Sequence, residues 1–129
     1  MTIATFLENT PSYVDKVNYP GLKSHPGHDI ARAQMRGYGA MVTFYINGGI
    51  EESTKFLKAL KVITLAESLG AVESLAECPA LMTHQSVSPE NRAKVGITDN
   101  LIRLSVGIEH IDDLLTDVSQ ALAATFRKF

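Results

Sequence analysis

The residue whose type and setting offer the most chemistry is Arg103, in the run Leu101-Ile102-Arg103-Leu104-Ser105-Val106-Gly107. Read as a strand, this run alternates its side chains between two faces. Ile102, Leu104, Val106 and Ile108 are then expected to enter a core, while Arg103 and Ser105 point the opposite way. A guanidinium on a rigid element presents a planar fork of donors, which matches a carboxylate oxygen for oxygen and orients it better than an ammonium does. Arg103 is therefore a candidate carboxylate anchor. The competing reading is a strand arginine that is solvated or paired with a nearby acid.

Other groups that could carry chemistry are less well equipped. His25 and His28 have the spacing of two ligands on one helical face, but no third ligand of convincing spacing accompanies them, and zinc wants three or four. Asn47-Gly48-Gly49 precedes a helix, where free amides attract anions, yet Glu51 and Glu52 would repel a phosphate; a strand-to-helix turn is expected. Cys78 is the single cysteine and stands beside Pro79, so it reads as a small buried apolar residue rather than a nucleophile. Ser68 has no histidine and acid at a readable spacing, so a hydrolase triad is unsupported. Lys55, Lys58 and Lys61 recur at helical spacing beside Phe56 and Leu57, the pattern of a solvated stripe next to a buried one.

The elements that must position these residues can be read from the same chain. Ile3, Phe6 and Leu7 predict a helix that stops at Asn9-Thr10-Pro11 and reads as the tail of something longer. A short strand is expected over 13–19, a helix over 26–35 capped near Ser24 or His25, and the clearest strand over 40–46. A helix over 51–60 and a strand over 61–65 follow, the latter leading into the loop that carries Glu67, Ser68 and Gly70. Ser88-Pro89-Glu90 is a helix start, with a hydroxyl cap and a proline at the first helical position, and Gly96 ends that helix. After the Arg103 strand, Ile111, Leu114, Leu115, Val118 and Leu122 recur at three- and four-residue steps and predict an amphipathic terminal helix. The sum is one α+β domain over 1–129, an antiparallel sheet with helices packed on one face.

With 129 residues, 45% of them hydrophobic, the chain can bury a real core. A net charge of −2 with no basic stripe argues against nucleic acid. No segment has the length to cross a bilayer and the first residues lack signal-peptide character, so no membrane partner is expected, and the lone Cys78, which cannot form an internal disulfide, fits a reducing, cytoplasmic compartment.

Six stretches occur in one order: Val17 to Leu22, Ser24-His25-Pro26, Leu65 to Gly70, Glu73-Ser74-Leu75, Pro79 to His84, and Gly96 to Glu109. Together they resemble the C-terminal domain of the pyridoxal-phosphate enzymes of cysteine and methionine metabolism, the cystathionine gamma-lyase, cystathionine gamma-synthase and methionine gamma-lyase family. The resemblance covers nearly the whole chain and leans toward the gamma-lyase branch. It implies the small C-terminal domain of a fold-type I enzyme and cleavage of the C–S bond of cystathionine to cysteine, 2-oxobutanoate and ammonia. It also implies a cofactor, pyridoxal 5'-phosphate, held on a lysine of a larger preceding domain that is absent from this chain. An isolated fragment is then expected to bind no cofactor and to be inactive. The full-length family forms homo-oligomers, commonly tetramers.

By the same resemblance, Arg103 matches the arginine that grips the substrate α-carboxylate, and Ser68 matches a serine beside the cofactor lysine. Glu67 matches an acid that faces the distal end of cystathionine, where methionine-preferring relatives often carry an apolar residue. Thr83 lies near a turn that would close over the same pocket. Ala71 departs from the pattern, replacing a second glycine after Ser68-Leu69-Gly70; His110 stands where relatives often have an acid, which weakens its expected role as a helix cap. No catalytic residue, metal site or cofactor contact is assigned to the chain itself. The alternatives are a methionine gamma-lyase or cystathionine gamma-synthase domain, or a free-standing non-catalytic module for binding or oligomerisation.

Overall fold

A computed structural model describes residues 1–127. The elements in chain order are α1 (Thr2–Glu8), β1 (Val14–Asn18), α2 (His28–Gln34), β2 (Met41–Ile46), α3 (Ile50–Ala59), β3 (Thr64–Leu65), β4 (Leu75–Glu77), α4 (Pro89–Lys94), β5 (Leu101–Ser105) and α5 (Ile111–Phe126). The strands form one five-stranded sheet in the order β1-β2-β5-β4-β3. Its pairs are antiparallel except for β3 with β4. This is the α+β architecture expected from the periodicities.

The sheet has two unlike faces because strand side chains alternate. Val42, Phe44 and Ile46 of β2, Ile102 and Leu104 of β5 and Ala76 of β4 join Ile3 and Leu7 of α1, Phe56 of α3 and Leu114, Val118 and Leu122 of α5 in one buried cluster. Phe44 and Phe56 meet edge to face with ring centroids 5.6 Å apart, which fixes α3 over the sheet. The opposite face carries Thr43, Arg103 and Glu77, which are direct cross-strand partners on β2, β5 and β4. Loops rather than long helices cover this second face. The Tyr45 hydroxyl donates to the Gly96 carbonyl at 2.9 Å, which brings the end of α4 to that side.

Several local expectations need correction. β5 is the central strand and ends at Ser105, so Ile108 leaves the sheet and is 83% exposed instead of entering the core. Ser105 does lie on the outer face, yet it is buried, because the amide of Gly70 donates to its Oγ at 2.8 Å. The strand expected over 61–65 is confined to Thr64–Leu65, since the amides of Lys61, Val62 and Ile63 donate to the carboxylate of Asp117 and have no strand partner. α2 begins at His28 rather than 26; the Gly27 amide donates to His25 Nδ1 and the His28 ring meets the Pro20 carbonyl, so both imidazoles hold the connection together. His110 does cap α5, its Nδ1 accepting from the Asp112 amide at 3.3 Å. The Asn47-Gly48-Gly49 turn is as expected, with Gly48 at φ +106° and the Glu52 carboxylate accepting the Gly49 amide. Cys78 is fully buried.

Candidate functional site

The outer face of the sheet is organised around Arg103. Its Nη2 donates to the backbone carbonyl of Glu67 at 2.8 Å and lies 3.0 Å from Oε1 of Glu77. Among the described residues, Nη1 and Nε have no protein acceptor, and neither is a buried orphan. The side chain is 20% exposed. One terminal nitrogen is therefore held from inside, while the other donors of the guanidinium remain open to an incoming acceptor. The ion-paired reading of this arginine accounts for Nη2 alone and leaves Nη1 and Nε without an acceptor among the described residues.

Glu77 was not anticipated as a site residue. It is 1% exposed, and its Oε2 has no hydrogen-bond partner. Burial pushes its carboxyl above the ordinary range, and this outweighs the opposing pull of the Arg103 charge and of the Thr83 hydroxyl. Thr83 donates to Glu77 Oε1 at 3.3 Å and lies 2.9 Å from His84 Nδ1, so its hydroxyl supports the acid. A clue lay in the sequence, since Leu75-Ala76-Glu77 alternates beside Cys78-Pro79, but three residues rich in weak strand formers carry too little signal to be read as a strand.

The loop after β3 is tied down along its length. The Ala66 amide donates to the Ala76 carbonyl at 3.0 Å, the Gly70 amide to Ser105 Oγ at 2.8 Å, and the Ile108 amide to the Val72 carbonyl at 2.9 Å. Its far end is locked by Glu109, whose carboxylate accepts from the Ser74 amide at 2.6 Å and from the Ser74 hydroxyl at 2.7 Å, while that hydroxyl accepts the Gly107 amide at 2.8 Å. Gly107 sits so close to this loop that an added Cβ would fall 2.2 Å from the Val72 carbonyl oxygen. The carbonyl that Arg103 grips is thus part of a pinned loop, and Ser68, exposed, directly follows it.

Of the four candidates, the structure gathers three around one acid. Arg103 contacts Glu77, Thr83 contacts Glu77, and Glu67 reaches Arg103 through its backbone carbonyl. The Glu67 carboxylate and the Ser68 hydroxyl make no hydrogen bond to another described residue and stand at the exposed rim.

The residues present do not fit a pyridoxal-phosphate site by themselves. A lysine that forms a Schiff base must be desolvated or held beside another cation so that its pKa falls. Every described lysine is exposed, and Lys55 is shifted upward by its hydrogen bond to Glu51. Among the described residues no group of three or more His, Cys, Asp or Glu is gathered to hold a metal ion, and no helix is long and apolar enough to cross a membrane.

The comparisons, and not the sheet with its half-occupied arginine alone, give the class: the fold is that of the small domain of pyridoxal-phosphate-dependent enzymes of fold type I. The chain belongs to the Cys/Met metabolism PLP-dependent enzyme family, whose model matches residues 1–123. It is 60% identical over 120 residues to the cystathionine gamma-lyase of Dictyostelium discoideum, a match covering 93% of this chain and 31% of that protein. The crystal structure of yeast cystathionine gamma-lyase superimposes with a TM-score of 0.94 at 48% identity, covering 98% of this chain and 33% of that one. A cystathionine gamma synthase from Xanthomonas oryzae pv. oryzae, crystallised with cystathionine, gives a TM-score of 0.89 at 46% identity, over 95% of this chain and 32% of that one. The chain spans about a third of the length of the relatives it matches.

Proposed function

We propose that these residues form the C-terminal, substrate-binding domain of a trans-sulfuration enzyme, most specifically a cystathionine gamma-lyase that yields cysteine, 2-oxobutanoate and ammonia. The observation that carries the reading is the divided guanidinium of Arg103: Nη2 is clamped by the Glu67 carbonyl and by Glu77, while Nη1 and Nε face no acceptor among the described residues. A cation held this way binds a planar anion in one orientation, because the protein has already removed the side chain's rotational freedom. The substrate α-carboxylate is that anion. Its capture on Arg103 fixes how the remaining bonds at Cα are presented to the reacting group.

Pyridoxal phosphate and its lysine would come from polypeptide outside these residues, as would the catalytic base, and the whole protein would be a homo-oligomer. Ser68, exposed beside Glu67, would assist near the cofactor nitrogen. The Glu67 carboxylate, exposed at the outer rim, suits the distal ammonium of cystathionine, which methionine lacks. A cytoplasmic setting goes with a lone, buried cysteine.

The test uses the full-length protein that carries these residues. Arg103→Lys keeps a charge but loses the planar fork, and KM for cystathionine is expected to rise about 10- to 100-fold with a smaller change in kcat. An unchanged KM overturns the anchor. Treating residues 1–129 with pyridoxal phosphate and borohydride should leave no stoichiometric lysine adduct by mass spectrometry; finding one overturns the placement of the cofactor lysine elsewhere.

A further inference from the structure

We propose that Glu77 is a positioning residue for substrate recognition: from its buried place on β4 it holds Nη2 of Arg103 and thereby aims Nη1 and Nε at the incoming α-carboxylate. The inference rests on the anchor reading of Arg103 and adds a second residue to it.

The geometry begins with the strand register. Glu77 and Arg103 are direct partners on antiparallel β4 and β5, so their side chains leave the same face side by side. Their charged atoms meet at 3.0 Å with Glu77 1% exposed and Arg103 20% exposed. The acid is thus the buried member and the arginine the one that reaches outward. The Glu67 carbonyl accepts a hydrogen bond from the same nitrogen at 2.8 Å, from the pinned loop. An ion-paired carboxylate and a hydrogen-bonded carbonyl, on separate elements, restrain the guanidinium more than either would alone. Thr83 in turn steadies Glu77 by donating to Oε1.

Cohesion of the fold does not explain this acid. Oε2 is buried without a partner, and an acid in such a place opposes folding. A buried ion pair replaced by apolar residues of like volume is often neutral or stabilising. What Glu77 supplies is direction for a side chain that would otherwise sample many rotamers.

The charges facing Glu77 also shape its response to pH. Arg103 lies opposite on β5, Glu67 is on the loop after β3, and Thr83 and His84 are on the segment after β4. Arrival of a substrate carboxylate at Arg103 adds a second negative charge to the cluster and favours the protonated form of Glu77. Substrate affinity should therefore weaken with rising pH across the Glu77 titration, a dependence that Glu77→Gln would abolish.

The experiment compares Glu77→Leu, Glu77→Gln and Arg103→Lys in the full-length protein, with the guanidinium Nε–H signal of Arg103 read by NMR in residues 1–129. Glu77→Leu is expected to raise KM for cystathionine about tenfold with kcat nearly constant, Glu77→Gln to recover most of that loss, and Glu77→Leu added to Arg103→Lys to cost nothing more. The Nε–H signal, sharp in the wild type, should broaden or vanish in Glu77→Leu while the fold persists by circular dichroism. If Arg103→Lys raises KM but Glu77→Leu changes neither KM nor the Nε–H signal, the positioning role is wrong and the anchor stands. If Arg103→Lys itself leaves KM unchanged, the anchor fails and the positioning role with it. Should Glu77→Leu not fold, Glu77→Gln carries the test through its altered pH profile of KM, and an unaltered profile overturns the proposal.

Discussion

Two buried acids, one on each side of the sheet, show how differently a fold can use the same chemistry. Asp117 on α5 is 3% exposed, and its oxygens accept from the amides of Lys61, Val62 and Ile63 at 2.8 to 2.9 Å and from the Gln120 side chain at 3.0 Å. Burial pushes its carboxyl up, but those donors together outweigh burial and hold it below the ordinary range. Glu77, 1% exposed, has one cation, one hydroxyl and an oxygen left over, and burial wins. A buried charge whose bonds are complete is a fastening, here joining α5 to the chain between α3 and β3. A buried acid whose bonds are incomplete, touching a cation with donors to spare, is what the positioning role proposed above would use.

The contrast can be broken most directly by removing each acid from residues 1–129 and following urea unfolding. Asp117→Ala strands three amides and is expected to cost about 3–5 kcal/mol, whereas Glu77→Leu leaves Arg103 its Glu67 carbonyl and partial solvent exposure and should cost less, about 1–2 kcal/mol. Equal losses would erase the distinction between fastening and support.

Gly107→Ala tests whether the loop that carries Glu67 is held as tightly as its hydrogen bonds imply. The new methyl group collides with the backbone at Val72 and Glu73 and is expected to cost about 2 kcal/mol, with faster amide exchange at Gly70 and Ser74. Exchange rates unchanged at those amides would mean that the loop is not pinned through this contact.

The smallest effect sharpens the comparison through pH. For Asp117 the folded value lies below the unfolded one, so its contribution is complete above about pH 4 and is lost as pH falls through the folded value. Glu77 has the opposite sign: the fold favours its protonated form, and stability declines as pH rises from about 4 through its folded value. Asp117→Asn should flatten the acid limb of the stability curve and Glu77→Gln the decline above it, each measured against wild type. A single slope of one sign for both would contradict the assignments.

Much of this was legible before any coordinates. The terminal helix, the strand from Met41 to Ile46, the capped start at Ser88 and Pro89 and the strand carrying Arg103 all follow from short-range patterns, as does the loop with Glu67 and Ser68. The misreadings arose where a distant group took over. Asp117 claims the amides that would have extended β3, Gly70 covers the serine that alternation placed opposite the core, and the crossing at Gly107 turns Ile108 outward. His110, whose capping role was expected to be weakened, caps α5 through a ring nitrogen.

Periodicity, capping and turn chemistry operate over a few neighbouring residues, so the sequence by itself determined the α+β class, most of the elements and the exposure of an arginine on a strand. Which acid stands beside that arginine, and which of its nitrogens stay open, depended on the register between β4 and β5 and on a loop folded back across them. Only the tertiary structure could decide this, because an electrostatic partner is chosen by distance in space between groups that the chain itself keeps far apart.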